Sequence, residues 1–74
     1  MHEQPKVWLT RREKQLLILI TIGLSNNEIA ARWGRSLKTI EAHRLNLYRK
    51  IGVHKLAQAI AWGVENKIIK VGSG

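Results

Sequence analysis

The fold is decided by the stretch GLSNNEIAARWGRSLKTIEAHR, which runs from Gly23 to Arg44. Two short polar interruptions, GLSNNE and GRSLKT, each lead into a segment whose apolar residues have helical spacing. The second interruption leaves only Gly34 to Ser36 between the two predicted helices. Because so short a glycine-containing turn between two helices is typical of a helix-turn-helix, we place that motif at about residues 24–43.

Two capping boxes mark the helix starts. Thr10 precedes Glu13 by three positions, and Ser25 precedes Glu28 by the same spacing. In a capping box, the hydroxyl accepts a hydrogen bond from a backbone N–H in the first turn, while the carboxylate accepts one from the capping residue. The sequence therefore predicts that helix one begins after Thr10 and ends at Gly23, and that helix two begins at Ser25.

The remaining chain continues the helical pattern. Helix three is predicted at about residues 36–51, and helix four at about residues 55–66. No alternating strand pattern occurs, so the predicted fold is all-α, with a tri-helical helix-turn-helix core followed by a fourth helix. We assign this domain to residues 9–69, with residues 1–8 as a tail or linker end and residues 70–74 as a second tail.

The net charge points to a class of partner. The chain has 74 residues, with 13 Lys and Arg against 5 Asp and Glu, and its formal charge is +8. Such a surface attracts polyanions, of which nucleic acid is the commonest and an anionic membrane face the next. The alternative is a small protein that is basic only for solubility.

Several classes of site are not expected. The absence of cysteine excludes disulfides and thiolate metal sites, and the three histidines do not have the spacing of a metal pair. No carboxylate pairs with a plausible nucleophile and base, so we expect neither an enzyme nor a metal or cofactor. The polar N-terminus has no apolar core of a secretion signal, and the apolar run at residues 16–20 is too short to cross a membrane. These features predict a cytoplasmic protein without a membrane partner.

Helix three separates into two faces when its residues are placed at intervals of about 100°. The apolar arc, which is expected to pack on helices one and two, comprises Leu37, Ile40, Leu47 and Ile51, with His43 at its edge. The opposite arc comprises Lys38, Ala42, Leu45 and Arg49. This second arc is flanked by Glu41 and Asn46, with Thr39 and Lys50 further round. It therefore presents cations at both ends and small or apolar side chains between them.

The second arc suits the major groove of DNA, which is wide enough to admit an α-helix. Lys38 is placed to reach a guanine edge, and Glu41 to accept a hydrogen bond from a cytosine amino group. Ala42 and Leu45 are placed to contact thymine methyl groups. Phosphate contacts, which position a protein without specifying sequence, are expected from Thr39, Asn46, Arg49 and Lys50. Each residue alone is also explained as a solvated charge or a packing residue, and only their joint occurrence on one face indicates DNA.

Residues 9–53 have the sequence LTRREKQLLILITIGLSNNEIAARWGRSLKTIEAHRLNLYRKIGV. This stretch resembles the LuxR/FixJ/GerE-type helix-turn-helix domain of bacterial transcription regulators. The matching positions include Leu9-Thr10, Ser25-Asn26, Glu28-Ile29-Ala30, Thr39-Ile40, His43 and Gly52-Val53. The resemblance covers about residues 9–69 and implies sequence-specific binding of double-stranded DNA, with helix three in the major groove. Trp33 and Arg35 depart from the family pattern, in which a leucine and another aliphatic residue are usual.

The resemblance also implies particular contact residues. Family-style DNA contacts fall at Lys38, Thr39, Glu41, Ala42 and Leu45, and phosphate contacts at Asn26, Asn46 and Lys50. The resemblance further implies a homodimer through helix four, and two monomers on a pseudo-palindromic operator would have half-sites about 10 base pairs apart. The candidate interface residues are Leu56, Ala59, Ile60 and Gly63. The alternative is that these four only complete the core of the monomer.

Two isoleucines of helix one, Ile18 and Ile22, fall outside its buried stripe and are expected to be exposed. In the family, this domain is commonly the C-terminal part of a longer chain. The pair is therefore a candidate docking surface for an absent N-terminal sensor or receiver domain, or for RNA polymerase. Two other functions stay open: a promoter-binding domain like sigma factor region 4, and a basic helical module that binds an acidic protein instead of DNA.

Overall fold

The computed structural model describes residues 7–70, which form four α-helices. They are α1 (Arg11–Ile22), α2 (Asn26–Trp33), α3 (Leu37–Ile51) and α4 (Leu56–Glu65). No strand occurs among residues 7–70, so the predicted all-α fold is confirmed. The predicted tails, residues 1–8 and 70–74, fall largely outside the described residues, and the limits of the domain stay a prediction.

Both capping boxes form as predicted. At α1, the Thr10 hydroxyl accepts the Glu13 backbone N–H at 3.1 Å, and Glu13 Oε1 accepts the Thr10 backbone N–H at 2.8 Å. At α2, Ser25 and Glu28 make the same two bonds at 3.1 Å and 2.7 Å. These bonds satisfy backbone donors that have no partner inside a helix, which is why the two helices begin where they do.

The turn between α2 and α3 spans Gly34 to Ser36, as the sequence predicts. Gly34 has a φ of 64°, in the left-handed region that residues with a Cβ rarely adopt. The Arg35 backbone N–H then donates to the Ala30 carbonyl at 2.9 Å, which closes the end of α2. Ser36 starts α3 because its hydroxyl accepts the Thr39 backbone N–H at 3.1 Å.

The two departures from the family pattern, Trp33 and Arg35, lie on either side of Gly34. Trp33 is half-buried against the core, and the Arg12 guanidinium lies 4.3 Å from its ring centroid, within the range of a cation–π contact. Arg35 is exposed to solvent. The turn therefore closes through backbone bonds, and it does not need an aliphatic side chain at position 35.

All four helices contribute to one hydrophobic core. Its buried side chains are Leu9, Leu16, Leu17, Ile20, Ile29, Ala30, Ile40, Leu47, Ile51 and Ala59. Two residues of α3 that the sequence placed on or beside the buried apolar arc are exposed. Leu37 is 39% exposed, and His43 is exposed as well. Leu37 is the first residue of α3, one turn before Ile40, where the helix first enters the core. Solvent therefore reaches Leu37 although it belongs to the apolar arc.

Helix α4 packs into the core through Ala59 and Gly63, which are two of the four residues predicted for the dimer interface. Ala59 is 0% exposed, and Gly63 is also buried. A Cβ on Gly63 would lie 3.2 Å from the Leu17 side chain and would collide with Ile69. Both residues serve close packing inside one molecule, which favours for these two the alternative role in the monomer core. The dimer interface as a whole stays a prediction.

Candidate nucleic-acid interface

Helix α3 presents one continuous exposed face. This outward face consists of the exposed side chains Lys38, Glu41, Ala42, Leu45, Asn46 and Arg49. Its apolar member Leu45 is 52% exposed, whereas Ile40 and Leu47 on the opposite side are 0% exposed. The four candidate base-contacting residues therefore all lie on the solvent side of the helix.

Thr39 lies half-buried at the start of α3 and bonds to the capping residue of the same helix. Its hydroxyl lies 2.9 Å from the Ser36 hydroxyl, and its backbone N–H donates to that same oxygen. Either hydroxyl can be the donor in this pair, so one of the two keeps a proton for an outside acceptor. The first turn of α3 thus retains a hydroxyl donor that suits a phosphate oxygen.

Lys50, a predicted phosphate contact, forms an ion pair with α1. Its Nζ lies 2.9 Å from Oε1 of Glu13, the oxygen that also accepts the Thr10 backbone N–H. Partial burial acts to raise the pKa of Glu13, but the Thr10 hydrogen bond and the Lys50 charge outweigh it and lower that pKa below its ordinary 4.5. The two partners are 37 positions apart, so sequence spacing does not reveal the pair.

Asn26, another predicted phosphate contact, bonds to α3 through an arginine for which the sequence predicts no site role. Nη1 of Arg44 donates to Oδ1 of Asn26 at 3.0 Å, and Nη2 donates to the Tyr48 hydroxyl at 3.3 Å. The Arg44 guanidinium carbon also lies 5.5 Å from the centroid of the Tyr48 ring. The spacing of Arg44 and Tyr48, four positions on one helix, is the only sequence signal for this cluster.

The described surface is rich in cations without ionic partners. Among residues 7–70, the pair of Glu13 and Lys50 is the one ion pair. With a formal charge of +8, the remaining cations create a field that favours a polyanion. Within the same range, no group of His, Cys, Asp and Glu side chains could hold a metal ion. None of the four helices is both long enough and apolar enough to span a membrane.

A second candidate surface lies on α4. Leu56 and Val64 are 40% and 37% exposed, Ala57 and Ala61 are exposed, and Ile60 is half-buried. We call these five residues the α4 stripe, because their spacing of one and four positions places them along one side of the helix. Of the four predicted interface residues, only Leu56 and Ile60 belong to this stripe.

The predicted exposure of Ile18 and Ile22 is confirmed. These side chains are 38% and 66% exposed, and they line a shallow apolar depression together with Ile68 and Ile69. The depression lies on α1 and the segment after α4, so none of its lining residues belongs to the outward face. Its use as a docking surface stays a prediction.

Residues 7–63 match a protein family described as bacterial regulatory proteins, luxR family. Over 58 residues, the chain is 45% identical to the CsgBAC operon transcriptional regulatory protein of Escherichia coli (strain K12). This match covers 78% of the chain but only 27% of that relative. The similarity thus concerns one domain of a longer protein.

Two solved structures are similar over most of this chain. A crystal structure of the response regulator ChrA of a heme-sensing two-component system matches with a TM-score of 0.77 and 32% identity, over 89% of this chain and 33% of that one. A crystal structure of a Vibrio cholera VqmA–ligand–DNA complex matches with a TM-score of 0.75 and 28% identity, over 92% of this chain and 30% of that one. This chain therefore spans about a third or less of the proteins it is compared with here.

Proposed function

The chain belongs to the luxR family of bacterial regulatory proteins, and we propose that this domain binds double-stranded DNA at specific sequences and regulates transcription. The observation that carries the proposal is the two-sided helix α3, which buries one face in the core and exposes the opposite face with a cation at each end. The major groove admits a helix of this kind. One of the similar structures is itself a complex with DNA, which supports the same assignment.

In this proposal, the outward face of α3 reads base edges. Lys38 donates to the acceptors of a guanine, and Glu41 accepts from the amino group of a cytosine. Ala42 and Leu45 contact thymine methyl groups. Leu45 is 52% exposed in the free domain, so a base contact would remove apolar surface from water, which is favourable.

Phosphate contacts hold α3 in register with the groove. Their proposed sources are Asn26, Thr39, Asn46, Arg49 and Lys50. For Lys50, the Glu13 carboxylate competes with a phosphate oxygen, because repulsion between the two anions opposes their sharing one ammonium group. Contacts of this type position the protein and carry little sequence information.

We further propose that the domain binds DNA as a homodimer through the α4 stripe. Leu56, Ala57, Ile60, Ala61 and Val64 form an apolar side of α4, which is the kind of surface that two identical helices bury against each other. A twofold dimer matches a pseudo-palindromic operator with half-sites about 10 base pairs apart. The stripe lies on a helix of only 10 residues, so DNA itself would contribute to holding the two copies together.

The role of this domain within a longer regulator is also a proposal. Because the relatives are much longer, we propose that a sensor or receiver domain accompanies the helix-turn-helix domain, and that Ile18 and Ile22 contact this domain or RNA polymerase. A transcription regulator acts by binding, so we propose no catalytic role and a location in the bacterial cytoplasm.

The decisive test is selection of binding sites from random duplex DNA by the purified chain. We expect an enriched, roughly palindromic sequence, and an affinity that falls with salt with a log–log slope of about −0.9 for each phosphate contacted. Binding without sequence preference, or no binding at moderate salt, would favour a protein-interaction module. A footprint that appears only when core RNA polymerase is added would favour a sigma-like domain.

Replacing Lys38 by alanine tests the base-reading role of the outward face. We expect Lys38→Ala to cost roughly 1–3 kcal/mol on the selected sequence and to relax the preference at one base position. The matched control is Lys14→Ala, which removes the same charge from an exposed position on α1 and should weaken all duplexes slightly and equally. Equal losses on selected and random duplexes for Lys38→Ala would reduce Lys38 to a phosphate contact.

A further inference from the structure

Arg44 connects the two helices of the helix-turn-helix motif. It lies half-buried on α3, and its guanidinium bonds to Asn26, the first residue of α2, which is 18 positions away in sequence. The second nitrogen of the fork bonds to the Tyr48 hydroxyl, and the Tyr48 ring lies beside the same guanidinium. Because it is bonded at two points, the guanidinium has a defined position and orientation.

This bond decides which way the Asn26 amide faces. An arginine side chain has only donors, so the atom of Asn26 that Arg44 contacts must be the carbonyl oxygen Oδ1. The remaining polar group of Asn26 is therefore its NH₂, which has two hydrogens to donate. A phosphate oxygen only accepts hydrogen bonds, so this orientation prepares Asn26 for a phosphate.

The positive charge of Arg44 is not neutralised by the bonds it makes. Among residues 7–70, the only ion pair joins Glu13 and Lys50, and the partners of Arg44 are a neutral amide and a neutral phenol. A hydrogen bond from a charged donor is about twice as strong as a neutral one, so the link to Asn26 is firm. The same charge polarises the Asn26 amide and strengthens its NH₂ group as a donor.

We propose that Arg44 is a positioning residue for DNA binding, which holds the Asn26 amide with its NH₂ group toward the phosphate backbone and fixes the start of α2 relative to α3. The proposal rests on the proposed DNA-binding function. It adds that the phosphate contact from α2 and the base contacts from α3 act as one unit, because a single guanidinium sets the distance between them.

A double-mutant cycle tests this coupling. Asn26→Ala and Arg44→Met should each weaken binding to the selected duplex about tenfold, which corresponds to loss of one hydrogen bond that involves a charged group. The double variant should bind no more weakly than Arg44→Met alone, because Asn26 is already misoriented in that variant. The matched control is Arg32→Met, which removes the charge of an exposed α2 arginine and should add independently to Asn26→Ala.

Two further variants separate positioning from charge and from folding. Asn26→Asp keeps an acceptor for Arg44 but has no donor, so it should keep or raise the melting temperature and yet weaken binding to every duplex. Asn27→Asp adds the same charge at the next, exposed position and should cause a much smaller loss. Arg44→Lys keeps the charge without the two-nitrogen fork, and it should recover only part of the affinity.

The outcomes are distinct. If the wild-type chain selects a DNA sequence but the effects of Asn26→Ala and Arg44→Met simply add, the positioning role is wrong while the proposed function stands. Full recovery of affinity by Arg44→Lys, or equal losses for Asn26→Asp and Asn27→Asp, would likewise overturn it. If the wild-type chain binds no duplex at all, both the proposed function and this inference fail.

Discussion

The starts of α1 and α2 carry the same local motif but are joined to α3 by different bonds. In both, a hydroxyl accepts a backbone N–H at 3.1 Å, and a glutamate accepts the N–H of the capping residue. At α1, the glutamate of the box, Glu13, also holds Lys50. At α2, Glu28 accepts the Ser25 backbone N–H. The link to α3 is made instead by Asn26, the residue after the cap, which accepts a hydrogen bond from Arg44.

The difference between the two links is one of charge. The α1 link joins two ions at the surface, so it responds to pH and to salt. The α2 link joins a half-buried guanidinium to a neutral amide. The same capping chemistry therefore accompanies a contact between two ions at one end of α3 and a contact with a neutral partner nearer its middle.

Removing a capping hydroxyl should have the largest effect on stability, and the loss should be similar at the starts of α1 and α2. We expect Thr10→Ala and Ser25→Ala each to lower the free energy of unfolding by about 1 kcal/mol, because each leaves a backbone donor without its partner. Denaturant unfolding measures both, with Thr10→Ser as a control that keeps a hydroxyl. A large loss at one start and none at the other would show that the boxes are not equivalent.

The ion pair of Glu13 and Lys50 should contribute less to the free energy of unfolding than a capping hydroxyl does, and only at α1. In a double-mutant cycle of Glu13→Gln and Lys50→Gln, we expect a coupling of about 0.2–1 kcal/mol, as is usual for exposed pairs. High salt should reduce this coupling, because the charges are partly accessible to solvent. A coupling of zero would mean that the contact between Glu13 and Lys50 contributes nothing to stability.

The same glutamate should restrain DNA binding. Glu13→Gln should raise the affinity for selected and random duplexes, because it frees Lys50 for a phosphate as well as removing a negative charge. Glu28→Gln removes the same charge from the other box, where no lysine is held, and should have a weaker effect. If the two variants gain affinity for DNA equally, only the net charge affects binding, and the ion pair does not compete with DNA.

The pH dependence of stability should be the smallest effect. It should distinguish Glu13, which is paired with Lys50, from Glu28, which is not. Both pKa values are lowered: at Glu28 by the Ser25 hydrogen bonds, and at Glu13 by the Thr10 bond and Lys50, against the raising effect of burial. The stability they provide is present above their ordinary pKa of 4.5 and is lost as pH falls through the lower folded values. Unfolding measured between about pH 5 and pH 2 should show a shallower acid loss in Glu13→Gln than in wild type. An unchanged acid profile in that variant would contradict the α1 link.

Most of the local structure could be predicted from the sequence, and the errors have one physical origin. The caps at Thr10 and Ser25 and the exposure of Lys38 follow from chemistry within one or two turns of a helix. The predicted burial of Leu37 is wrong because a helical wheel does not say where a helix enters the core. For Ala59, the sequence could not separate a core role from an interface role, because the wheel does not say which neighbour covers a face.

The sequence by itself determined the helix boundaries, the all-α fold and the two faces of α3, since periodicity and capping are properties of neighbouring residues. Only the tertiary structure decided that Glu13 would hold Lys50, that Arg44 would orient Asn26, and that α4 would expose the stripe from Leu56 to Val64. Those contacts join residues 37 and 18 positions apart, or depend on which side of α4 meets α1. No local spacing encodes such distances, because they exist only once the helices have packed.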